Sequence, residues 1–260
     1  VPENQNNFAF IFPDCGASVS ATRKISQGEF GMPSVFRISD PEDSAMGLKL
    51  YGVEGTVLDK LIQMRGYKSG KRCLYIGHTE GEKVFSRHVE KMVKQICKKH
   101  GAMYLTGYPI KKWRKGRYSD PYMREDLQDY GIISDTVESS VTWSNLHNLH
   151  QGVRAFIKSR PNTMCLTHAS HFYSQGTNLY FIFIAKYKDI DEYKNFLEGI
   201  MGVIQQHGGS ISHHHGVGKM FGPFMEKHLG KEQMEVLRAL KHHFDPNNIM
   251  NPGGQLWLDN

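Results

Sequence analysis

The run TNLYFIFIAKY, Thr177–Tyr187, restricts the fold of this chain more than any other stretch. Side chains of a strand alternate between faces, and here both alternating sets are apolar. Such a strand is expected to be central and buried, with a neighbour on each side. TMCLTHASHFY (Thr163–Tyr173) precedes it across the short SQG connection and reads as one neighbour. DTVESSVTW (Asp135–Trp143) is also strand-like, and Ser144–Ser159 between them reads as a helix. DIDEYKNFLEGIMGVIQQHGG (Asp189–Gly209) reads as a capped amphipathic helix ending in Gly-Gly.

The first half repeats the pattern. Phe8–Pro13 is predicted as a strand, Cys15–Gln27 as a helix capped by Asp14, and Pro33–Asp40 as a second strand. Pro41–Gly70 is ambiguous and reads as mostly helical. Lys71–His78 is a predicted strand, Glu80–Gly101 a helix with apolar residues at Val84, Phe85, Val89, Met92, Val93 and Ile96, and Ala102–Tyr108 the returning strand. Two strand–helix–strand halves imply an α+β fold of ferredoxin-like type, a large antiparallel sheet covered by helices. Short helices at Phe221–Leu229 and Lys231–Phe244 and the turn-rich DPNNIMNPGG (Asp245–Gly254) complete a C-terminal helical tail. No repeat array, low-complexity tract or linker interrupts the pattern.

Composition is that of a globular chain, 39% hydrophobic and 22% charged over 260 residues, enough for a buried core. No apolar run approaches the ~20 residues of a membrane helix. No signal peptide is visible, and four cysteines without C-x-x-C spacing read as reduced thiols, so a cytoplasmic location is expected. The chain opens on Val1 and enters a strand almost at once, which suggests a piece whose N-terminal part lies elsewhere. The net charge of +6 is concentrated in KKHG (Lys98–Gly101) and KKWRKGR (Lys111–Arg117). The second run reads first as a solvated loop. A functional basic face would suit an anionic substrate or an acidic lipid surface; no nucleic-acid motif accompanies it.

GGSISHHHGVGKMFGPF, residues 208–224, holds His213, His214 and His215 between glycines. Consecutive residues of an extended segment point to opposite sides, so all three cannot bind one metal from a regular strand. Three readings stay open: a metal site, an organic active site using imidazole as acid, base or anion donor, and packing or surface residues.

GSISHHHGVG, DTVESSVTW and DPNNIMNPGG together resemble the C-terminal half of the FAD-linked oxidase superfamily, which includes vanillyl-alcohol oxidase. Within it the likeness is nearest to the alkyldihydroxyacetonephosphate synthase branch. PSVFRISD around Arg37, PYMRE around Arg124 and NLYFIF around Tyr180 add to it. The resemblance covers about residues 8–40 and 117–254. It implies that residues 1–209 form a cap or substrate domain and 210–260 a histidine loop with a helical segment. An N-terminal FAD-binding domain would lie outside this chain and hold most of the FAD, leaving the chain alone catalytically silent.

The resemblance also implies roles. Tyr180, His215 and His213 are assigned to catalysis, with Tyr180 protonating a departing carboxylate and His215 moving a proton. Arg37, Arg124 and His214 are assigned to a phosphorylated or otherwise anionic substrate, and His215 and Asn251 to flavin contact. The implied reaction exchanges acyl for alkyl on acyl-dihydroxyacetone phosphate, a step of ether-lipid synthesis, with peripheral membrane contact and a homodimer left open. Relatives acting on D-2-hydroxy acids use two histidines and a glutamate as metal ligands; Tyr173, Tyr180 and His214 stand there instead, so no metal is expected. NPGGQLW leans towards the oxidases, which keeps an FAD-dependent oxidation of an alcohol, 2-hydroxy acid or phenol as an alternative. A ligand-binding or assembly module without catalysis is the third. Plain structural readings compete with each residue: Arg37 paired with Asp40, Arg124 with Glu125 or Asp126, and Tyr180 as a core tyrosine.

Overall fold

The computed structural model describes residues 2–118, 120–254 and 256–258. The first half runs β1 (Asn4–Phe12), α1 (Cys15–Ser26), β2 (Val35–Ser39), α2 (Pro41–Leu50), α3 (Val57–Met64), β3 (Cys73–Gly81), α4 (Lys83–Lys99) and β4 (Met103–Tyr104). Two helices follow, α5 (Tyr108–Gly116) and α6 (Asp120–Gln128). The second half runs β5 (Ile132–Thr142), α7 (Leu146–Ser159), β6 (Met164–Ser170), β7 (Gly176–Lys186) and α8 (Ile190–Gln206). The tail carries α9 (Gly218–Phe221), a 3-10 turn, α10 (Met225–Leu229) and α11 (Lys231–Phe244).

The seven strands form one sheet in the order β4-β1-β3-β2-β6-β7-β5. Each recorded pairing is antiparallel. The first half therefore has the 4-1-3-2 order of a ferredoxin-like unit, and β5-β7-β6 repeats its core. The halves join where β2 meets β6, through Ile38 opposite Ala169 and Ser39 opposite His168.

One face of the sheet carries Phe8, Phe10, Phe12, Tyr75, Phe181 and Phe183, all buried in the main core. Helices α1, α4, α7 and α8 close it with residues such as Val89, Val93, Val153 and Ile200. On the second face α2 packs against β2 and β6, and a smaller layer covers β1 and β3. There Ala9, Leu74 and Ile76 meet Ile110 of α5, and Ile11 meets Leu48 of α2 and Ile62 of α3. Over β7 the cover is partial: Leu179, Phe181 and Phe183 are buried, whereas Tyr180, Ile182 and Ile184 on the other face are half-buried. The expectation of a strand with partners on both sides holds; full burial of both faces does not.

Local chemistry sets the element ends. Asp14 accepts from the Ala17 N–H at 2.8 Å and caps α1 as expected. Strand β3 extends beyond His78 to Gly81, so α4 starts late, at Lys83, with Glu82 accepting from Val84 and Phe85 N–H. Val84 and Phe85 consequently stay exposed instead of joining the core. The returning strand shrinks to Met103–Tyr104 because Thr106 adopts a left-handed φ of 77° and turns the chain. Pro109 then opens α5, so KKWRKGR is largely helical and not a loop. The four cysteines are free thiols.

Candidate active site

The site is built on the other half of this second face, with Asp43 of α2 at its edge beside Arg37. Strand register places Glu138 of β5 opposite Tyr180 of β7, and Tyr180 opposite His168 of β6. Ser39 of β2 is opposite His168, and Arg37 lies two residues along on the same face. A row of one carboxylate, one phenol, one imidazole and one guanidinium thus crosses four strands.

The histidine loop is fastened to the outer edge of β5. Ser210 N–H donates to the Ser140 carbonyl at 3.1 Å, and the Ser210 hydroxyl accepts from Ser140 N–H at 2.8 Å. Gly209 lies so close to Ser139 and Leu149 that a Cβ there would collide with both. Beyond the histidines, Gly216 takes a φ of 82°, which lets the loop turn away.

Glu138 organises the loop. Its Oε1 accepts from the backbone N–H of His213 (2.9 Å), His214 (2.5 Å) and His215 (2.6 Å), and from the Ser212 hydroxyl (3.1 Å). Its Oε2 accepts from Asn178 Nδ2 at 2.8 Å and lies 2.6 Å from His214 Nδ1. Burial pushes this carboxyl up, but the three backbone donors and the nearby His215 ring outweigh it and hold it at about 2. Glu138, His213 and His214 are close enough to share a metal ion. Six donors already occupy a carboxylate with about four lone-pair sites, however, which argues for an organic site.

Because ionised Glu138 can only accept, His214 Nδ1 carries a proton, and Nε2 becomes a second donor whenever the ring is protonated. His213 Nδ1 lies 3.0 Å from His214 Nδ1, and its Nε2 lies 2.9 Å from the Tyr173 hydroxyl. His171, with a left-handed φ of 55°, packs its ring 4.2 Å from that of His214.

Tyr180 and His215 form the pair suited to proton transfer: the phenol oxygen and His215 Nε2 are hydrogen-bonded. Burial, then Glu138, pushes the Tyr180 hydroxyl up. Burial pushes the His215 ring down; Glu138 and Asp135 oppose that and His214 adds to it. Tyr180 therefore keeps its proton near neutrality and donates it, and His215 accepts. His168 stacks on Tyr180 at 4.8 Å, and burial together with Arg37 holds it neutral, at about 3. Arg37 pairs with Asp43 at 2.8 Å and not with Asp40, whose carboxylate caps α2. Arg37 Nε and His168 Nδ1 are buried and have no hydrogen-bond partner among the described residues.

Of the residues singled out in the sequence, His213, His214, His215 and Tyr180 meet around Glu138, and Arg37 shares their face. Arg124 stands exposed on α6 with its guanidinium 3.9 Å from Asp135, neither Glu125 nor Asp126 being its partner among the described residues. Asn251 sits in an exposed left-handed turn of the tail, φ 51°, without a described contact to the cluster. Glu138, Asn178, His168 and His171 were not picked out from sequence. Glu138, Asn178 and His168 stand in the sequence as polar residues within strands, and His171 lies just past the end of β6.

The family profile described as FAD linked oxidases, C-terminal domain, matches residues 1–254. The chain belongs to this family. FAD is the cofactor the family implies. Alkyldihydroxyacetonephosphate synthase of Dictyostelium discoideum is 32% identical over 269 residues, spanning 97% of this chain and 44% of that protein. An uncharacterized FAD-linked oxidoreductase of Escherichia coli (strain K12), YgcU, is 28% identical over 271 residues, spanning 97% of this chain and 52% of that protein. A solved alkyldihydroxyacetonephosphate synthase superposes with a TM-score of 0.76 at 28% identity, covering 97% of this chain and 44% of that one. The chain thus spans about half the length of the relatives it matches, or less.

Proposed function

We propose that this chain is the substrate-side wall of an FAD-dependent enzyme that exchanges the acyl group of an acyl-dihydroxyacetone phosphate for a fatty alcohol. The observation that carries the reading is the Tyr180–His215 hydrogen bond on the open part of the second face, backed by anionic Glu138 and flanked by Arg37. Residues 1–209 would act as the cap domain and 210–260 as the histidine loop and helical segment, facing an FAD-binding domain outside the chain. The residues fit such a neighbour: half-buried apolar Ile182 and Ile184 and the unpartnered Arg37 Nε and His168 Nδ1 lie on that face. When bound, the flavin supplies reversible covalent or hydride chemistry at its ring.

The exchange breaks the C–O bond to the acyl carboxylate and forms an ether C–O bond to the alcohol oxygen; no electrons are gained or lost. Tyr180 donates a proton to the departing carboxylate, and His215 Nε2 accepts the proton that the alcohol gives up. His213, tied to Tyr173 and His214, supports the loop and completes the proton-handling group. Arg37, Arg124 and His214 supply charge and donors to the phosphate, guanidinium being suited to bidentate contact. His215 and Asn251 are the residues assigned to the flavin.

Anaerobic mixing of the full-length protein with candidate substrates, followed by the visible flavin spectrum, tests the reading. Perturbation by acyl-dihydroxyacetone phosphate alone, with fatty acid released and no electrons lost, is expected. Bleaching by a hydroxy acid, alcohol or phenol, with reoxidation by an acceptor, would replace it with an oxidoreductase. Tyr180→Phe should lower kcat by about 10²–10⁴-fold with little change in KM; unchanged turnover removes Tyr180 from the chemistry.

A further inference from the structure

The proton transfers proposed above leave His168 without a part. It stands on β6 between the chemistry of β7 and the charge of β2, with Tyr180 opposite it on one side and Ser39 on the other. Polar groups enclosed on a sheet face cost free energy unless they are bonded or used. Its Nδ1 is buried with no hydrogen-bond partner among the described residues. Burial, then Arg37, push the ring down to about 3; Asp43 of α2 opposes them and His171 adds to them. The ring is therefore uncharged near neutrality and too weak a base to carry a proton for the reaction.

What the ring does make is a flat contact. The centroids of His168 and Tyr180 are 4.8 Å apart and their planes differ by 14°, a stacked arrangement. His215 meets the same phenol edge-on, with centroids 4.7 Å apart and planes at 79°. The Tyr180 ring is thus gripped from two directions while its hydroxyl bonds His215 Nε2. Glu138, its neighbour on β5, cannot supply that grip, because its oxygens are committed to the loop and to Asn178. A tyrosine on a strand has two common χ1 wells, so the hydroxyl of an unsupported ring would divide its time between two positions.

We infer that His168 is a positioning residue for Tyr180, an uncharged plate that holds the phenol ring in the rotamer bonded to His215. The plate works only as a neutral ring. An imidazolium there would face the Arg37 guanidinium and favour loss of the Tyr180 proton. Arg37, paired with Asp43 at 2.8 Å, thereby helps to keep the plate uncharged. This inference rests on the reading of Tyr180 as the proton donor, and the experiment separates the two.

Steady-state kinetics of the full-length protein with an acyl-dihydroxyacetone phosphate and a fatty alcohol provide the test. His168→Leu keeps bulk and removes the flat ring; it should lower kcat about 10–100-fold and change KM less than about twofold. His168→Phe restores a flat ring without nitrogens and should recover kcat to within about threefold of the native protein. Added to Tyr180→Phe, His168→Leu should cost less than about twofold more, because it acts through the phenol hydroxyl. Should His168→Leu not fold, His168→Gln takes its place with the same expected loss. Native kcat in His168→Leu overturns the inference, even if thermal melting shows both variants destabilised. So does an equal loss in His168→Phe, which would give the imidazole nitrogens a part in the chemistry. A full further loss in the double variant also overturns it, since His168 would then act elsewhere. Undiminished turnover in Tyr180→Phe removes the proton-donor reading and the inference with it. A loss in Tyr180→Phe beside native turnover in His168→Leu overturns the inference alone.

Discussion

Glu138 carries the negative charge around which three histidines are arranged, and it is 1% exposed. Its effect on stability has a definite pH dependence. A glutamate in the unfolded chain titrates near ~4.3, and the folded carboxyl is held at about 2. A lowered folded value stabilises the fold above the unfolded value and stops doing so as pH falls through the folded one. The window is therefore about pH 4.3 down to about 2, and the contribution about 3 kcal/mol. Glu138→Gln puts an amide N–H where His214 or Asn178 already donates, so it should cost about 2–4 kcal/mol near neutrality. Urea unfolding of both proteins across pH should show that gap closing as pH drops; a gap constant with pH would mean that charge is not what Glu138 contributes. The sequence made the histidines visible because a His run between glycines stands out, and Tyr180 through the family resemblance of its strand. It hid Glu138, which reads as an ordinary solvent-side residue of an alternating strand until a loop 75 residues away folds over it. Arg37 was legible as a charge, but its partner depended on how α2 leaves β2, which brings Asp43 rather than Asp40 to the guanidinium.

Among elements, the seam between the halves is short, two residue pairs of β2 and β6, and a side-chain bolt reinforces it. Arg154 of α7 donates to Asp40 at 2.8 Å, to the Cys165 carbonyl at 2.7 Å and to Glu42 at 2.6 Å. It thereby ties α7 and β6 to the start of α2. Asp40 is 5% exposed, so Arg154→Ala leaves a buried carboxylate with His150, 3.3 Å away, as its remaining ion-pair partner. The expected loss is about 2–3 kcal/mol, whereas Lys158→Ala, which removes a half-exposed pair with Glu42, should cost about 0.5 kcal/mol or less. Equal losses in denaturant melts would contradict the view that burial sets the difference. Element types were largely legible, because Asp14 and Asp189 are caps and Val89, Val93 and Ile96 keep helical spacing, whereas the Thr56 cap of α3 lay in the ambiguous stretch. The stretch after Tyr104 was not. Its helix depends on Ile110 and Trp113 finding the back of β1 and β3, a contact that no local pattern encodes.

At the scale of the molecule, the uneven cover of the sheet is the feature to explain. One face is closed by helices of both halves, while the other is closed over β1 and β3, reached by α2 at Arg37 and β6, and open around Tyr180 and Ile182 of β7. A strand as apolar as β7 is costly to leave half-wet, so the open half is shaped for contact with something outside the chain. Under the proposed function that contact is the flavin and the domain that anchors it. A flat half-sheet can meet a planar ring from one side, whereas stable cofactor sites enclose most of the ligand surface. The chain by itself should therefore purify without visible flavin absorbance, and added FAD should bind it weakly. The full-length protein should be yellow, and Tyr180 and His215 should lose solvent access in it. Stoichiometric flavin retained by residues 1–260 alone would mean that the open half-face encloses the cofactor unaided, and the division of labour proposed for the two parts would have to be abandoned.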